Sequence, residues 1–158
     1  MTDPLSRIRD YEQSDVLFLG IGNEVLGDDA AGPYFIKTLE DNKDKHDFNY
    51  IDCGTVLENF ANKIIELEPK LIVIIDAANF SETPGTLKQI DMDTIANASA
   101  STHTMPINVF TAYLQEQMNF APEFVFIGVQ AKQLEFGVPM SSEIVDTVTG
   151  FAKKLIIG

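Results

Sequence analysis

The 158-residue chain has a single cysteine, Cys53. No internal disulfide can form, and zinc sites built on paired Cys-x-x-Cys motifs are excluded. Basic residues are also scarce: 11 Lys and Arg stand against 24 Asp and Glu, for a net charge of −13. Such a field repels nucleic acid and anionic membrane surfaces, so neither is expected as a partner. It favours a basic partner segment, although solubility alone accounts for an acidic balance in many proteins. No apolar run is long enough to span a bilayer. The stretch Met1 to Ser14 lacks the basic-then-apolar layout of a signal peptide, and a cytoplasmic location is expected. The chain also lacks a serine nucleophile elbow and a His-Glu-x-x-His helix, so serine-hydrolase and zincin mechanisms have no support.

What is present alternates. Continuous apolar runs at Asp15 to Ile21 and Lys70 to Asp76 read as strands buried on both faces. Further strands are expected at Phe48 to Asp52 and Glu123 to Gln130, with an edge strand at Thr86 to Asp91. Helices are expected near Ala30 to Asp41, Leu57 to Glu68, Ile107 to Gln117 and Ser141 to Leu155, the last capped by Ser141 or Ser142. This order predicts one α/β domain over residues 15–158, preceded by a charged arm over 1–14. The fold class is a three-layer α/β/α sandwich, of the phosphorylase/hydrolase-like kind, around a mostly parallel five-stranded sheet.

The loop after the first strand carries the sharpest signal. Phe18 to Gly32 starts as a strand, turns through Gly20, Gly22 and Gly27, and opens a helix, as a nucleotide-binding loop does. Yet it places Asp28 and Asp29 where a phosphate binder keeps neutral amides or a lysine, and it lacks the Gly-x-Gly-x-x-Gly spacing. Carboxylates there attract a cation or a proton donor, so a dinucleotide site is disfavoured. In open α/β sheets sites lie beyond the carboxyl ends of the strands. Asn23, Asp28 and Asp29 follow the first strand, Asp52 and Cys53 the second, Asp76 and Asn79 the third, and Gln130 the fifth. His103 precedes the helix at Ile107. Asp29, Asp76 and His103 can converge as a borderline-hard triad suited to nickel, zinc, iron or manganese. The same groups can instead do general acid–base work.

Each residue has a plainer reading. Asp28 or Asp29 can cap the helix that follows, Asp76 can be a turn residue, and His103 can be a capping histidine. His46, among Asp44, Lys45 and Asp47, reads as solvated surface. Cys53 reads as packing, and Phe18, Phe35, Phe110, Phe124 and Phe126 read as core.

Five blocks together carry a family resemblance. They are Gly20-Ile-Gly-Asn23 with Gly27-Asp-Asp-Ala-Ala-Gly32; Asp52-Cys-Gly-Thr55; Ile74-Ile-Asp-Ala77 with Pro84-Gly-Thr86; Thr102-His-Thr-Met-Pro106; and Phe126-Ile-Gly-Val-Gln130. The chain resembles the hydrogenase maturation proteases, endopeptidases that trim the C-terminal extension of nickel–iron hydrogenase large subunits. Asp29 stands where many relatives have Glu, and Cys53 where Gly is common. The Gln130 and His103 blocks look most like the branch serving hydrogenase-3-type and archaeal F420-reducing enzymes.

The resemblance implies an aspartic-type endopeptidase whose partner is the large-subunit precursor. Asp29 and Asp76 would be catalytic, one of them as a general base that activates water; the other hypothesis has the shared nickel polarise the scissile carbonyl. With His103 they would bind the nickel already held by that precursor, or another divalent metal in its place. Asp28, Asn23 and Gly54 would support them. A monomer is expected by default. The alternative is a nickel-site chaperone that docks on the precursor without cutting it.

Overall fold

The computed structural model describes residues 3–91 and 105–157. A five-stranded sheet forms its centre, in the order β2-β1-β3-β5-β4. The strands are β1 (Val16–Ile21), β2 (Asn49–Gly54), β3 (Leu71–Ala78), β4 (Leu87–Ile90) and β5 (Glu123–Gln130). All neighbouring pairs are parallel except β4 with β5. The alternating sequence of β4 thus lies at an edge, where one neighbour is enough, and the expected sandwich is the observed fold.

Helices cover both faces. α1 (Pro4–Arg9), α2 (Ala31–Asp41) and α5 (Ser142–Ile157) pack on one side, and α3 (Ala61–Leu67) and α4 (Ile107–Gln117) on the other. Period-2 alternation sorts the side chains of β3 between them. Leu71, Val73, Ile75 and Ala77 join Phe18, Phe35 and Leu39 on the α2–α5 face. Ile72 and Ile74 join Leu19, Ile64, Phe110 and Leu114 on the α3–α4 face. Because both faces are covered, β1 and β3 are buried along their whole length. Of the expected core rings, Phe18, Phe35, Phe110 and Phe126 are buried, and Phe124 is half-buried.

Two expectations are corrected. The stretch expected as a charged arm contains a packed helix: Asp3 caps α1, Pro4 occupies its first turn, and Ile8 is buried in the core. Its charges tie down rather than project, since Arg7 donates to Glu123 at 2.9 Å and Arg9 to the Lys154 carbonyl at 3.0 Å. His46 is buried, not solvated. Its Nδ1 accepts the Phe48 N–H at 3.1 Å, so Nε2 carries the proton and donates to the Leu39 carbonyl at 2.9 Å. The imidazole adds a second donor to the Leu39 carbonyl near the C-terminus of α2, which already accepts the Asn42 N–H at 3.1 Å; charged neighbours in the sequence do not reveal this.

Candidate active site

The chain leaves β1 toward β2 on one side and returns through α3 to β3 on the other. Loops at the carboxyl ends of β1 and β3 therefore part from each other, which makes a topological switch point. Asp29 lies in the loop after β1, and Asp76 lies near the end of β3. Both are buried, at 2% and 3% exposure. Carboxylates are kept at such depth only when hydrogen-bonded, paired or metal-bound.

Close backbone approach positions the first of them. Residues Gly27–Ala30 form a 3-10 turn leading into α2, and this turn touches β3. Gly22 has φ +151°, and a Cβ there would lie 1.9 Å from the Asp29 carbonyl oxygen. A Cβ on Gly32 would lie 2.3 Å from the Ile21 carbonyl and 2.7 Å from that of Ile75. Glycines thus let α2 begin directly on the ends of β1 and β3. Gly54 belongs to the same frame: its φ is +55°, and its carbonyl accepts the Gly22 N–H at 2.9 Å.

The adjacent carboxylates do different work. Neither caps α2, because the N-cap position is Ala30 and has no side-chain hydrogen bond. Asp29 Oδ2 accepts the backbone N–H of Asn23 at 2.8 Å, which folds the loop back on itself. The Asn23 side chain closes a separate turn by accepting the Val25 N–H at 3.0 Å. Asp28 is wholly buried and faces away, toward the loop after β5. Its Oδ2 accepts from Lys132 N at 2.8 Å, Gln133 N at 3.1 Å and Ser141 Oγ at 3.0 Å, and its Oδ1 from Ser141 N at 2.6 Å. Four donors leave Asp28 occupied as a structural anchor. Ser141, one of the two serines expected to cap the last helix, stands immediately before it but gives its hydroxyl to Asp28.

Asp76 continues the row of Ile72 and Ile74 and so lies on the α4 face of the sheet. Met105 and Ile107, at the start of α4, pack into the same cluster. His103 lies outside the described residues. Among the described residues no three His, Cys, Asp or Glu groups are placed to hold a metal together. Asp29 and Asp76 offer hard oxygen donors that fit a borderline divalent ion if a further ligand joins them.

Neighbouring groups serve the frame. Gln130 is buried: its Oε1 accepts the Phe80 N–H at 2.9 Å, and its Nε2 donates to the Ala131 carbonyl at 2.9 Å. It thereby joins the loops after β3 and β5. Cys53 is buried, and desolvation, helped by the charge of Asp52, pushes its thiol up to about 12. It is a packing thiol, as expected. A groove of about 580 Å³ opens beside the loop, lined by Glu24, Ala30, Tyr34, Asp52 and Met140 among others; neither Asp29 nor Asp76 lines it. The sequence reading missed Lys132, Gln133 and Ser141 as partners of Asp28. Their contacts run mainly through backbone N–H groups, which leave no residue-type signal.

The fold and this loop define an α/β protein with two buried carboxylates on the elements that flank its switch point. Comparison with known proteins narrows the class. The sequence signature of hydrogenase maturation proteases matches residues 33–157. The hydrogenase 3 maturation protease of Escherichia coli K12 is 35% identical over 143 residues, covering 90% of this chain and 88% of that protein. The coenzyme F420 hydrogenase subunit delta of Methanothermobacter thermautotrophicus is 31% identical over 126 residues, 77% of each chain. A solved NiFe hydrogenase maturation protease from Thermococcus kodakarensis superposes with a TM-score of 0.83 at 26% identity, covering 98% of this chain and 97% of that one. The chain belongs to the hydrogenase maturation protease family, and its activity is that of a hydrolase of the endopeptidase class.

Proposed function

We propose that this endopeptidase removes the C-terminal extension of a nickel–iron hydrogenase large-subunit precursor only after nickel has been inserted. It acts as a monomer, in the cytoplasm, and Asp29, Asp76 and His103 bind the nickel that the precursor carries. The observation that carries this reading is the burial of two carboxylates, Asp29 and Asp76, on either side of the switch point in a chain of this family. Three side chains leave positions open on a four- to six-coordinate ion for ligands from the precursor. Binding is then weak without loaded precursor and tight with it, so cleavage is conditional on nickel.

The cutting step is of the aspartic type. A carboxylate of the Asp29–Asp76 pair takes a proton from water as the water oxygen attacks the scissile carbonyl carbon. The tetrahedral intermediate collapses with loss of the C–N bond, and the proton passes to the departing amine. Asp28 takes no part in proton transfer, because its oxygens are held by four donors.

The experiment is the intact mass of nickel-loaded and nickel-free precursor after incubation with this protein. The reading predicts loss of one C-terminal peptide from the loaded sample alone. Equal cleavage of both samples contradicts nickel gating. A stable complex with unchanged mass supports the docking chaperone instead.

A further inference from the structure

One feature of the surface has no role in the chemistry above. Phe136 is 79% exposed, Val25 50%, Leu134 42% and Val138 38%. Single exposed apolar side chains are ordinary, but four of them carried on two joined loops beside a candidate site point to an interaction surface. These four come from two loops that are joined. Leu26 and Phe136 form an antiparallel bridge, and Gly137 N donates to the Val25 carbonyl at 2.8 Å. Asp28 N donates to the Gln133 carbonyl at 3.0 Å, and Gln133 Nε2 donates to the Pro139 carbonyl at 3.0 Å. Together with the four bonds to the Asp28 carboxylate, this frame holds the apolar side chains out in water.

We propose that Val25, Leu134, Phe136 and Val138 form a docking ridge that captures an apolar segment of the precursor, flanked by basic residues, next to the scissile bond. The inference rests on the processing reading above and adds where the precursor is gripped. Continuity with the site supports it. Val25 is two residues from Asn23, whose N–H binds Asp29, and Asp28 joins the turn carrying Asp29 to the loop carrying Phe136. Charge selects the occupant. Exposed Glu24 and Glu135 adjoin the ridge in sequence, and nearby Lys132 is already paired with Glu143 at 2.8 Å. A second copy of this chain, with its charge of −13, would bring like charges together across the ridge. A segment bearing Lys or Arg beside apolar residues meets both features.

The test compares the wild-type chain with the double variant Val25→Ser, Phe136→Ser on nickel-loaded precursor, with initial rates read by intact mass across precursor concentrations. The expected result is a fall in kcat/KM of roughly 30-fold, carried by a rise in KM, as for loss of buried apolar contacts. Phe136→Leu should restore most of the loss. The unfolding midpoint of the double variant should match the wild type, since both side chains are solvent-exposed. An unchanged KM overturns the ridge while leaving the processing reading intact. A wild-type dimer in sedimentation that the double variant dissolves also overturns it, by showing a self-interface. Failure of the wild-type chain to cut loaded precursor overturns the processing reading, and the ridge falls with it.

Discussion

The carboxylate of Asp28 accepts both the backbone N–H of Ser141, at 2.6 Å, and its hydroxyl, at 3.0 Å, across 113 positions of sequence. With Lys132 and Gln133 as further donors, one wholly buried side chain anchors the segment between β5 and α5. Replacing Asp28 with Asn turns one acceptor oxygen into a donor facing donors. Hydrogen bonds to a charged group contribute about 1.5–3 kcal/mol, so Asp28→Asn should destabilise the protein by about 3 kcal/mol. Urea denaturation should show that loss, and amide exchange should quicken most over residues 131–141. Unchanged stability with unchanged exchange would refute the anchor.

Gly22 tests how the loop is held. A Cβ there would sit 1.9 Å from the backbone oxygen of Asp29, at a φ of +151° that side chains disfavour. Gly22→Ala should therefore shift the turn that carries Asp29, cost at least about 2 kcal/mol and cut cleavage by about tenfold or more. Thermal unfolding and the precursor assay read the two effects separately.

The α/β sandwich was legible because its strongest elements are unambiguous. Val16 to Ile21 and Leu71 to Ile75 are uninterrupted apolar strands, and glycines and prolines mark several of their boundaries. The site was legible only in part. Asp28 and Asp29 are identical neighbours in the sequence, but successive residues of a 3-10 turn point about 120° apart. One therefore reaches Ser141 and the other Asn23, a division that no spacing rule shows. His46 was misread because Asp44, Lys45 and Asp47 suggest solvent, whereas its ring is used to bridge Leu39 and Phe48. The ridge at Phe136 has no periodicity, and its frame runs through backbone atoms.

Cys53 gives a prediction in pH. Burial raises its thiol to about 12 in the folded chain, against about 8.5 for a free cysteine. Between those values the folded state holds a proton that the unfolded state has released. Stability from this group is thus fully present below about pH 8.5 and is lost as pH rises toward 12. Cys53→Ala should flatten the alkaline decline measured by denaturation at pH 8, 9 and 10. A thiol reagent at pH 8 should label the native chain about 100-fold more slowly than the unfolded chain. Rapid native labelling would contradict the packing role.

The most direct test of the account is the intact mass of nickel-loaded large-subunit precursor incubated with the Asp76→Asn variant beside the wild type. Asn keeps the size of the side chain and removes its charge and its basicity. The account predicts that the wild type releases one C-terminal peptide, while the variant, folded with an ordinary unfolding midpoint, releases none over the same period. Cleavage by Asp76→Asn at the wild-type rate would contradict it and move the chemistry away from the carboxylates at the switch point.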